Sequence, residues 1–268
     1  MRLALLIATL CGPAFAQSQP PQDNAGVFGP KEELSVQEQY ELGLKYLKRG
    51  YYVKALEQFN RIRNYHRDDP YAVKAELAIA DLYFDQSEWD QARMAYEDFL
   101  RLHPRHEDVD YVVYRLGLTS WKKAPKITNR DQAWTRHALN TWTGFDTRFA
   151  DSEYVDEVND YMNQARNRLA HKEFQIGSFY FKREAWVAVV GRMEGLLSAY
   201  PDCDDAPEAL RMLAIARYEL GDQDMAREIA KKLGEDHPES RSLRRLMRSH
   251  PQLGGAQVAE TPEQQAAE

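Results

Sequence analysis

Small residues recur at one phase of the chain every 37 positions, and large apolar residues follow them at fixed intervals. The first series contains Gly43, Ala80, Gly117, Gly177 and Ala214, with a gap of 60 residues before Gly177. A second series lies twelve residues further along, at Ala55, Ala92, Val189 and Ala226. Such self-similarity is typical of stacked helix pairs, because small residues let two antiparallel helices approach closely and large residues fill the space around them.

The order of small and large positions resembles the tetratricopeptide pattern, whose usual period is about 34 residues. The sequence therefore predicts an all-α fold, a right-handed superhelical array of five tetratricopeptide-like helix pairs within residues 34–250. The five repeats are expected at about 36–70, 73–104, 110–149, 170–201 and 207–238. In the third repeat we predict an insertion at 122–131, a second helix over 132–149, and then one long helix over 155–181.

The N-terminus has the features of a signal peptide over residues 1–16. Arg2 supplies a short positive region, an apolar run follows it, and an A-x-A cleavage site ends at Ala16. Cys11 leaves a second processing route open, because bacterial lipoproteins are cut just before a cysteine that is then acylated. The residue before that cysteine is usually small, whereas here it is Leu10. Both routes predict an exported protein.

Polar segments flank the predicted array on both sides. Residues 17–33 are rich in Pro and Gly and predict a flexible tether, whereas residues 251–268 predict a disordered tail. A short final helix is expected before the tail, and it carries an arginine cluster at Arg241, Arg244, Arg245 and Arg248. A solvated helix face is the favoured interpretation of this cluster, and contact with anionic lipid is the alternative.

The overall charge narrows the class of partner. The formal net charge of −7 argues against nucleic acid, because nucleic-acid-binding domains are usually basic. Hydrophobic residues make up 43% of the 268 residues, which is ample for a core. The chain contains two cysteines, Cys11 and Cys203, and no disulfide framework is expected from them. No later apolar run is long enough to span a bilayer.

Candidates for catalysis or metal binding are few. His103 and His106 have the spacing of a metal-binding pair, but Pro104 breaks the helix that would place both rings on one face. A solvated turn between repeats is the favoured interpretation. Asp205 precedes a helix with Pro207 in its first turn, so we expect its side chain to cap that helix. No phosphate-binding loop, nucleophile elbow or cysteine–histidine ligand set is present, so neither enzyme activity, metal nor cofactor is expected.

The first helix of each repeat should line a concave groove. In repeats one to three, the groove-facing positions are mainly apolar or aromatic with a few charges, which suits an extended peptide that carries aromatic side chains. These candidate substrate-binding residues are Tyr40, Leu44, Leu47, Leu77, Phe84, Tyr111, Tyr114, Leu118 and Trp121. An alternative is that several of them pack against the tether or against the insertion of repeat three. The corresponding positions of repeats four and five are more polar, so the two ends should have different roles.

Two stretches are more specific than the repeat pattern. The strings RLAHKEF (168–174) and EAWVAVVGRMEGLLSAYPD (184–202) resemble the fourth repeat of the BamD family of outer-membrane assembly lipoproteins. The string DYVVYRLGLTSW (110–121), with NRDQAWTRHA and RFADSEY after it, resembles the third repeat. The resemblance extends over about residues 34–240. Two departures are the weak acylation signal before Cys11 and Ala150, where the family has a proline.

The resemblance implies a non-catalytic periplasmic scaffold of the machine that assembles β-barrel proteins at the outer membrane. Its N-terminal groove would bind unfolded barrel precursors that end in an aromatic residue. Its C-terminal repeats would bind the barrel subunit BamA, with Arg192 as the candidate contact and Glu194 near it. Other assembly lipoproteins are further possible partners. The alternative function is another periplasmic tetratricopeptide adaptor, in cell-envelope maintenance or division.

Overall fold

The computed structural model describes residues 34–254, and within that range every regular element is helical. The all-α prediction is therefore confirmed. Twelve α-helices and a closing 3-10 turn follow one another in this range: α1 (Val36–Lys48), α2 (Tyr52–Tyr65), α3 (Pro70–Asp85), α4 (Trp89–Leu102), α5 (Val109–Lys123), α6 (Ala133–Trp142), α7 (Phe145–Arg148), α8 (Val155–Phe181), α9 (Trp186–Ala199), α10 (Ala206–Glu219), α11 (Gln223–Asp236), α12 (Arg241–Ser249) and Pro251–Leu253.

The helices stack in sequence order, since each one packs mainly against its neighbours along the chain. Five pairs result, α1–α2, α3–α4, α5–α6, α8–α9 and α10–α11, and short turns make the two helices of each pair antiparallel. Because every first helix runs in the same direction, the turns within pairs lie at the same end of their pairs, although the third turn lies beside residues 172–175 of α8 and not level with the fourth. We call this the intra-pair edge, formed by residues 49–51, 86–88, 124–132, 182–185 and 220–222. The turns between pairs lie at the opposite edge.

The recurring small residues lie where the two helices of a pair touch. A Cβ atom on Gly43 would come within 2.6 Å of the Phe59 ring, and one on Gly117 within 2.2 Å of Trp142 Nε1. Phe59 and Trp142 are themselves fully buried. Small residues therefore set the spacing of the pairs, as the sequence pattern predicts.

Four of the five turns within pairs use the same backbone geometry. Gly50, Ser87, Glu184 and Gly221 occupy equivalent positions, and each has a positive φ between 56° and 85°. In each turn the amide of the following residue donates to a carbonyl five residues back, as Tyr51 N donates to Tyr46 O at 2.9 Å. This is the Schellman ending of a helix, which satisfies carbonyl groups that would otherwise lack partners.

The third repeat departs from the predicted helix pattern. A single helix over 132–149 is wrong, because the chain breaks after α6 and resumes as the short α7. Thr143 leaves the helical conformation at ψ 124° and Gly144 is left-handed at φ +73°, which turns the chain so that Phe145 enters the core. The long helix expected over 155–181 is confirmed as α8, with 27 residues. Its first half packs on α6, and its second half pairs with α9.

The last helix closes the end of the array. Ser240 caps α12 by accepting a hydrogen bond from Leu243 N at 3.1 Å, and Leu246 is fully buried. Leu253, in the 3-10 turn after α12, is also buried, at 2% exposure. The predicted disorder from residue 251 onward is therefore wrong for 251–254, because this turn returns an apolar side chain to the core. The expected signal peptide, the tether, Cys11 and the tail from 255 lie outside the described residues.

Asp205 does not cap α10 as the sequence predicts. Its carboxylate instead lies 2.8 Å from Nδ1 of His171 on α8. The tertiary packing of α8 against the start of α10 supplies a partner that local sequence could not reveal. The pair links the fourth repeat to the fifth.

Candidate peptide-binding groove

Helices α1 and α3 enclose a cleft of about 330 Å³ on the N-terminal part of the array. Four of the predicted groove residues meet in it: Tyr40, Leu44 and Leu47 from α1, and Leu77 from α3. Further lining residues are Val73, Lys74, Ala78, Asp81, Leu82, Asp85, His106 and Asp108. Seven lining residues are apolar or aromatic, while one lysine, three aspartates and a histidine add polar groups, so the cleft could make both apolar and polar contacts.

The apolar wall of the cleft is held from behind by the core. The ring of Tyr40 lies 5.5 Å from the ring of Phe59 and 5.3 Å from that of Tyr71, both in tilted contacts. Burial raises the pKa of Tyr40, and the nearby Asp81 raises it further. The hydroxyl therefore stays neutral and keeps its proton for hydrogen-bond donation.

Asp81 forms the polar end of the cleft. One oxygen of its carboxylate, Oδ1, accepts hydrogen bonds from the hydroxyls of Tyr96, at 2.5 Å, and Tyr111, at 2.8 Å. Nε of Arg115 lies 3.5 Å from the same oxygen. Burial raises the pKa of Asp81, while the two tyrosine hydrogen bonds and Arg115 oppose that shift. This network is not visible in the sequence, because its members come from three helices and no local motif joins them.

Phe84 lies next to this network and is stacked rather than free. The guanidinium of Arg115 lies 3.8 Å from the centre of its ring, and Trp89 packs edge-on against it at 5.2 Å. Arg115 also approaches Asp85 at 3.5 Å. The cleft thus ends in a rigid cluster of aromatic rings and charges, which limits how far a bound chain could continue along the array.

The groove does not continue into the third repeat as predicted. Tyr114 and Leu118 are buried, at 8% and 5% exposure, so their prediction as open groove residues is wrong. The start of α8 covers them: Tyr154 stacks on Tyr114 at 4.8 Å, and the Tyr114 hydroxyl donates to Glu157 at 2.8 Å. Among the described residues, the covering element is therefore α8 and not the insertion of repeat three.

Trp121 and Tyr111 are also engaged by the protein itself. The guanidinium of Arg168 on α8 lies 3.7 Å from the centre of the Trp121 ring, and Tyr161 packs near it at 6.1 Å. Burial lowers the pKa of Arg168. Tyr111 donates to Asp81, so it forms the border of the cleft rather than a second half of it.

The two candidate partner contacts on α9 point to different neighbours. Arg192 lies 3.1 Å from Glu173 on α8, and its side chain is 47% exposed. Glu194 instead pairs with Arg217 on α10, which also binds Asp222 at 3.2 Å. Two residues along a helix is about 200°, so these side chains lie on opposite faces of α9. The structure therefore does not bring Arg192 and Glu194 together into one site.

Glu194 lies in a separate cavity of about 640 Å³ between the fourth and fifth pairs. Apolar side chains form its floor and charged ones its rim. The lining residues are Glu194, Leu197, Ser198, Pro201, Asp202, Leu210, Leu213, Ile229, Lys232, Asp236 and His237. The repeat pattern gave no indication of this cavity, since its walls come from α9, α10 and α11 together.

The histidines near residue 104 have structural partners. His103 Nε2 lies 2.7 Å from a carboxylate oxygen of Glu76, and both His103 and His106 pack on the ring of Phe99. Within residues 34–254, no group of three or more candidate ligand residues is placed to hold a metal ion. Across the same residues, no helix combines the length and apolarity needed to cross a bilayer.

A stack of antiparallel helix pairs with a cleft at one end defines a helical-repeat protein. Residues 32–233 match the family described as YfiO, outer membrane lipoprotein. That match covers most of the chain, and the chain belongs to this family.

Relatives from three bacteria carry the name outer membrane protein assembly factor BamD. The protein of Rickettsia prowazekii is 26% identical over 243 residues, 90% of this chain and 94% of its own. That of Neisseria meningitidis is 25% identical over 78% of this chain and 82% of its own. That of Vibrio cholerae is 27% identical over 65% and 76%. The resemblance to BamD is thus confirmed.

Among solved structures, the TPR2AB-domain:pHSP90-complex of yeast Sti1 aligns with a TM-score of 0.41. Its sequence identity is 13%, over 80% of this chain and 83% of that chain.

Proposed function

We propose that this chain is a non-enzymatic scaffold in the assembly of outer-membrane proteins, located at the periplasmic face of the outer membrane. It acts by holding its clients and partners in position. Family membership and the shared name of its relatives support this role. The observation that supports a binding function most directly is the apolar cleft between α1 and α3, which brings four predicted groove residues together.

The cleft receives an extended segment of an unfolded barrel precursor. Leu44, Leu47 and Leu77 offer apolar contact, and the Tyr40 ring is fixed in place by Phe59 and Tyr71. A rigid aromatic wall costs little conformational entropy on binding, which favours an aromatic side chain in the client. The Asp81 network closes the far end, so one end of the segment is seated there.

The C-terminal repeats hold the barrel subunit, a BamA-like protein. Arg192 is the proposed contact, because its guanidinium is half exposed on α9 and its single carboxylate partner, Glu173, is also accessible. An exposed pair of this kind contributes little to folding, so it can exchange partners at low cost. Glu194, which pairs with Arg217 on the other face of α9, is proposed as part of a second, separate contact.

The cleft is tested with a short synthetic peptide copied from the end of an outer-membrane barrel protein and terminating in Phe. Leu47→Ala and Leu77→Ala should each weaken its binding about tenfold, because each removes part of a buried leucine contact. Fluorescence anisotropy of the labelled peptide gives the dissociation constant. Phe84 and Trp121 are less suitable probes, since each supports an arginine of the fold.

The matched control is Leu102→Ala, which shortens a leucine at the end of α4 that is 54% exposed and lies outside the cleft. This variant should bind the peptide with unchanged affinity. A second control changes the terminal Phe of the peptide to Ala, which should lower its affinity for the unaltered protein. Equal binding by the Leu47, Leu77 and Leu102 variants would remove the cleft from the proposed function. If a pull-down from detergent-solubilised cell envelope then recovered a partner other than the barrel subunit, another periplasmic adaptor role would be favoured.

A further inference from the structure

Exposed apolar side chains concentrate at the intra-pair edge. Of the twelve large apolar side chains that are most exposed in the part of the chain that the structure describes, eight lie at or beside the intra-pair turns. They are Tyr51, Tyr52, Val53, Ile127, Phe179, Val187, Leu220 and Met225. Val53 is 83% exposed and Val187 is 74% exposed, although both begin amphipathic helices that could have placed polar residues there. One edge of the array is therefore unusually apolar.

Basic side chains accompany these apolar ones in the first, third and fourth pairs. They are Lys48, Arg49, Lys54, Lys122, Lys126, Arg130, Lys182 and Arg183. In the third pair, Lys123 and Arg136 are neutralised by Asp90 and Asp131. Lys122, Lys126 and Arg130 have no carboxylate within ion-pair distance among residues 34–254, so their charges are available to an outside anion.

The opposite edge has the reverse character. The turns between pairs, at 66–69, 103–108, 149–154, 200–205 and 237–240, contain only two basic residues, Arg67 and Arg105, if neutral histidines are left aside. Their carboxylates are Asp68, Asp69, Glu107, Asp108, Asp151, Glu153, Asp202, Asp204, Asp205 and Glu239. Counted over the turns alone, the intra-pair edge holds five basic residues and four acidic ones, Glu88, Asp131, Glu184 and Asp222. An anionic surface would therefore be repelled by the acidic edge and favour the intra-pair edge, which fixes an orientation.

The turn of the third pair is held in shape by a buried glutamine. Gln132 is fully buried, and its Nε2 donates to the carbonyl of Ile127 at 2.9 Å and to that of Pro125 at 3.3 Å. The hydroxyl of Thr135 donates to Oε1 of the same glutamine at 2.6 Å. The Ile127 side chain is left 59% exposed between Lys126 and Arg130. An apolar tip flanked by bases on a fixed turn is the arrangement that inserts at a lipid interface.

We propose that the intra-pair edge of the first, third and fourth pairs rests on an anionic lipid bilayer, with the 124–132 turn as its main contact. Apolar tips enter the headgroup region, and the unpaired lysines and arginines bind lipid phosphates. The acidic edge faces away from the membrane. This contact concerns the outer edge of the helix pairs and does not depend on the cleft between α1 and α3.

Vesicle binding tests the proposal. The chain from residue 17 onward, made without export, lacks the predicted signal peptide and Cys11 in every variant, so neither an apolar leader nor an acyl group contributes to lipid binding. Co-sedimentation is measured with vesicles of phosphatidylcholine alone and of phosphatidylcholine mixed with phosphatidylglycerol. Binding should favour the anionic vesicles. The triple variant Lys122→Gln, Lys126→Gln, Arg130→Gln should lose about a hundredfold in partition coefficient, at about fivefold for each charge near the surface.

The matched control removes three positive charges elsewhere. Arg101, Lys231 and Lys232 are exposed and each pairs with a carboxylate on its own helix. From the helix rise, they lie roughly 12 Å or more from the helix ends at the intra-pair edge, beyond the Debye length of about 8 Å. Their replacement by Gln should change binding less than about twofold. If both triple variants lost the same factor in partition coefficient, the loss would come from the net charge of the protein and not from this edge, and the proposal would be overturned.

A second variant separates lipid from an acidic polypeptide. Ile127→Ser should weaken vesicle binding roughly tenfold, because it removes an apolar group from the interface. Binding to polyglutamate should not depend on Ile127. If the protein bound polyglutamate tightly and showed no preference for anionic vesicles, the proposed membrane contact would be overturned, and an acidic protein would be the better candidate partner for this edge. The assay contains neither peptide nor barrel subunit, so its failure leaves the proposed peptide cleft untouched.

Discussion

At the residue scale, the repeat depends on a few glycines and alanines that admit a neighbouring ring. Gly117 is the clearest case, since it faces the fully buried Trp142, whose indole N–H donates to the Tyr114 carbonyl at 3.2 Å. A fixed hydrogen bond keeps the ring from moving aside. The small residue is therefore required by packing and not by backbone flexibility.

Gly117→Ala should destabilise the protein by about 1–3 kcal/mol, because the added methyl group meets the indole at 2.2 Å and forces a shift in a dense core. Gly195→Ala is the matched control, since a methyl group on this exposed position of α9 has open space around it. It should stabilise by about 0.5–1 kcal/mol through the higher helix propensity of Ala. Urea unfolding compares the two, and a similar midpoint for both variants would contradict the packing argument.

At the element scale, the turn within a pair places one residue in the left-handed region. Glycine occupies this position in the first and fifth pairs, whereas Ser87 and Glu184 occupy it in the second and fourth. A residue with a Cβ atom pays a steric cost of about 1–2 kcal/mol in that conformation. The turn survives there because the same pair of backbone hydrogen bonds closes it.

Glu184→Gly should therefore stabilise the protein by about 1 kcal/mol, and Gly221→Ala should destabilise it by a similar amount. Thermal and urea unfolding midpoints give the sign of each change. Glu184→Ala serves as the control for charge, because it removes the carboxylate but keeps the strained Cβ atom. If Glu184→Ala stabilised as much as Glu184→Gly, the effect would come from charge and not from the backbone.

At the scale of the whole molecule, α8 divides the array into two parts with different surfaces. Its first half covers Tyr114 and Leu118, which closes the concave side after the second pair. Its second half forms the fourth pair with α9, where Arg192 is exposed. Because one helix packs on the third pair and forms the fourth, it joins the two parts of the array at a fixed separation.

The two ends should act independently under mutation. Arg192→Glu should weaken capture of the periplasmic part of a BamA-like barrel subunit about tenfold or more, through charge reversal, and leave peptide affinity unchanged. Leu77→Ala should weaken peptide binding and leave capture of the barrel subunit unchanged. Arg227→Glu is the control, since Arg227 is similarly exposed and also pairs with one carboxylate, Asp224. Pull-down of the subunit and peptide anisotropy are measured on the same preparations. If each variant weakened binding of both the subunit and the peptide, the two ends would not be independent.

The sequence was sufficient where an interaction is local or repeats with a fixed period. The phases of Gly43 and Gly117 predict which helices touch, because a pair is built from neighbours in the chain. Local sequence failed to predict the environment of Asp205, whose carboxylate lies close to His171 on an earlier helix. It also failed at Gly144, since a left-handed glycine inside an apolar pattern is not visible as a helix break.

The sequence by itself determined the all-helical stack, its small-residue contacts, the long α8 and four residues of the cleft, because periodic burial dictates which side of each helix faces a neighbour. Only the tertiary structure decided which part of the concave side stays open. α8 folds back over the third pair, and Tyr154 and Arg168 then occupy the surface that the pattern assigned to a client. Positions that face a groove and positions that face another helix carry the same apolar residues, so their pattern alone does not distinguish them.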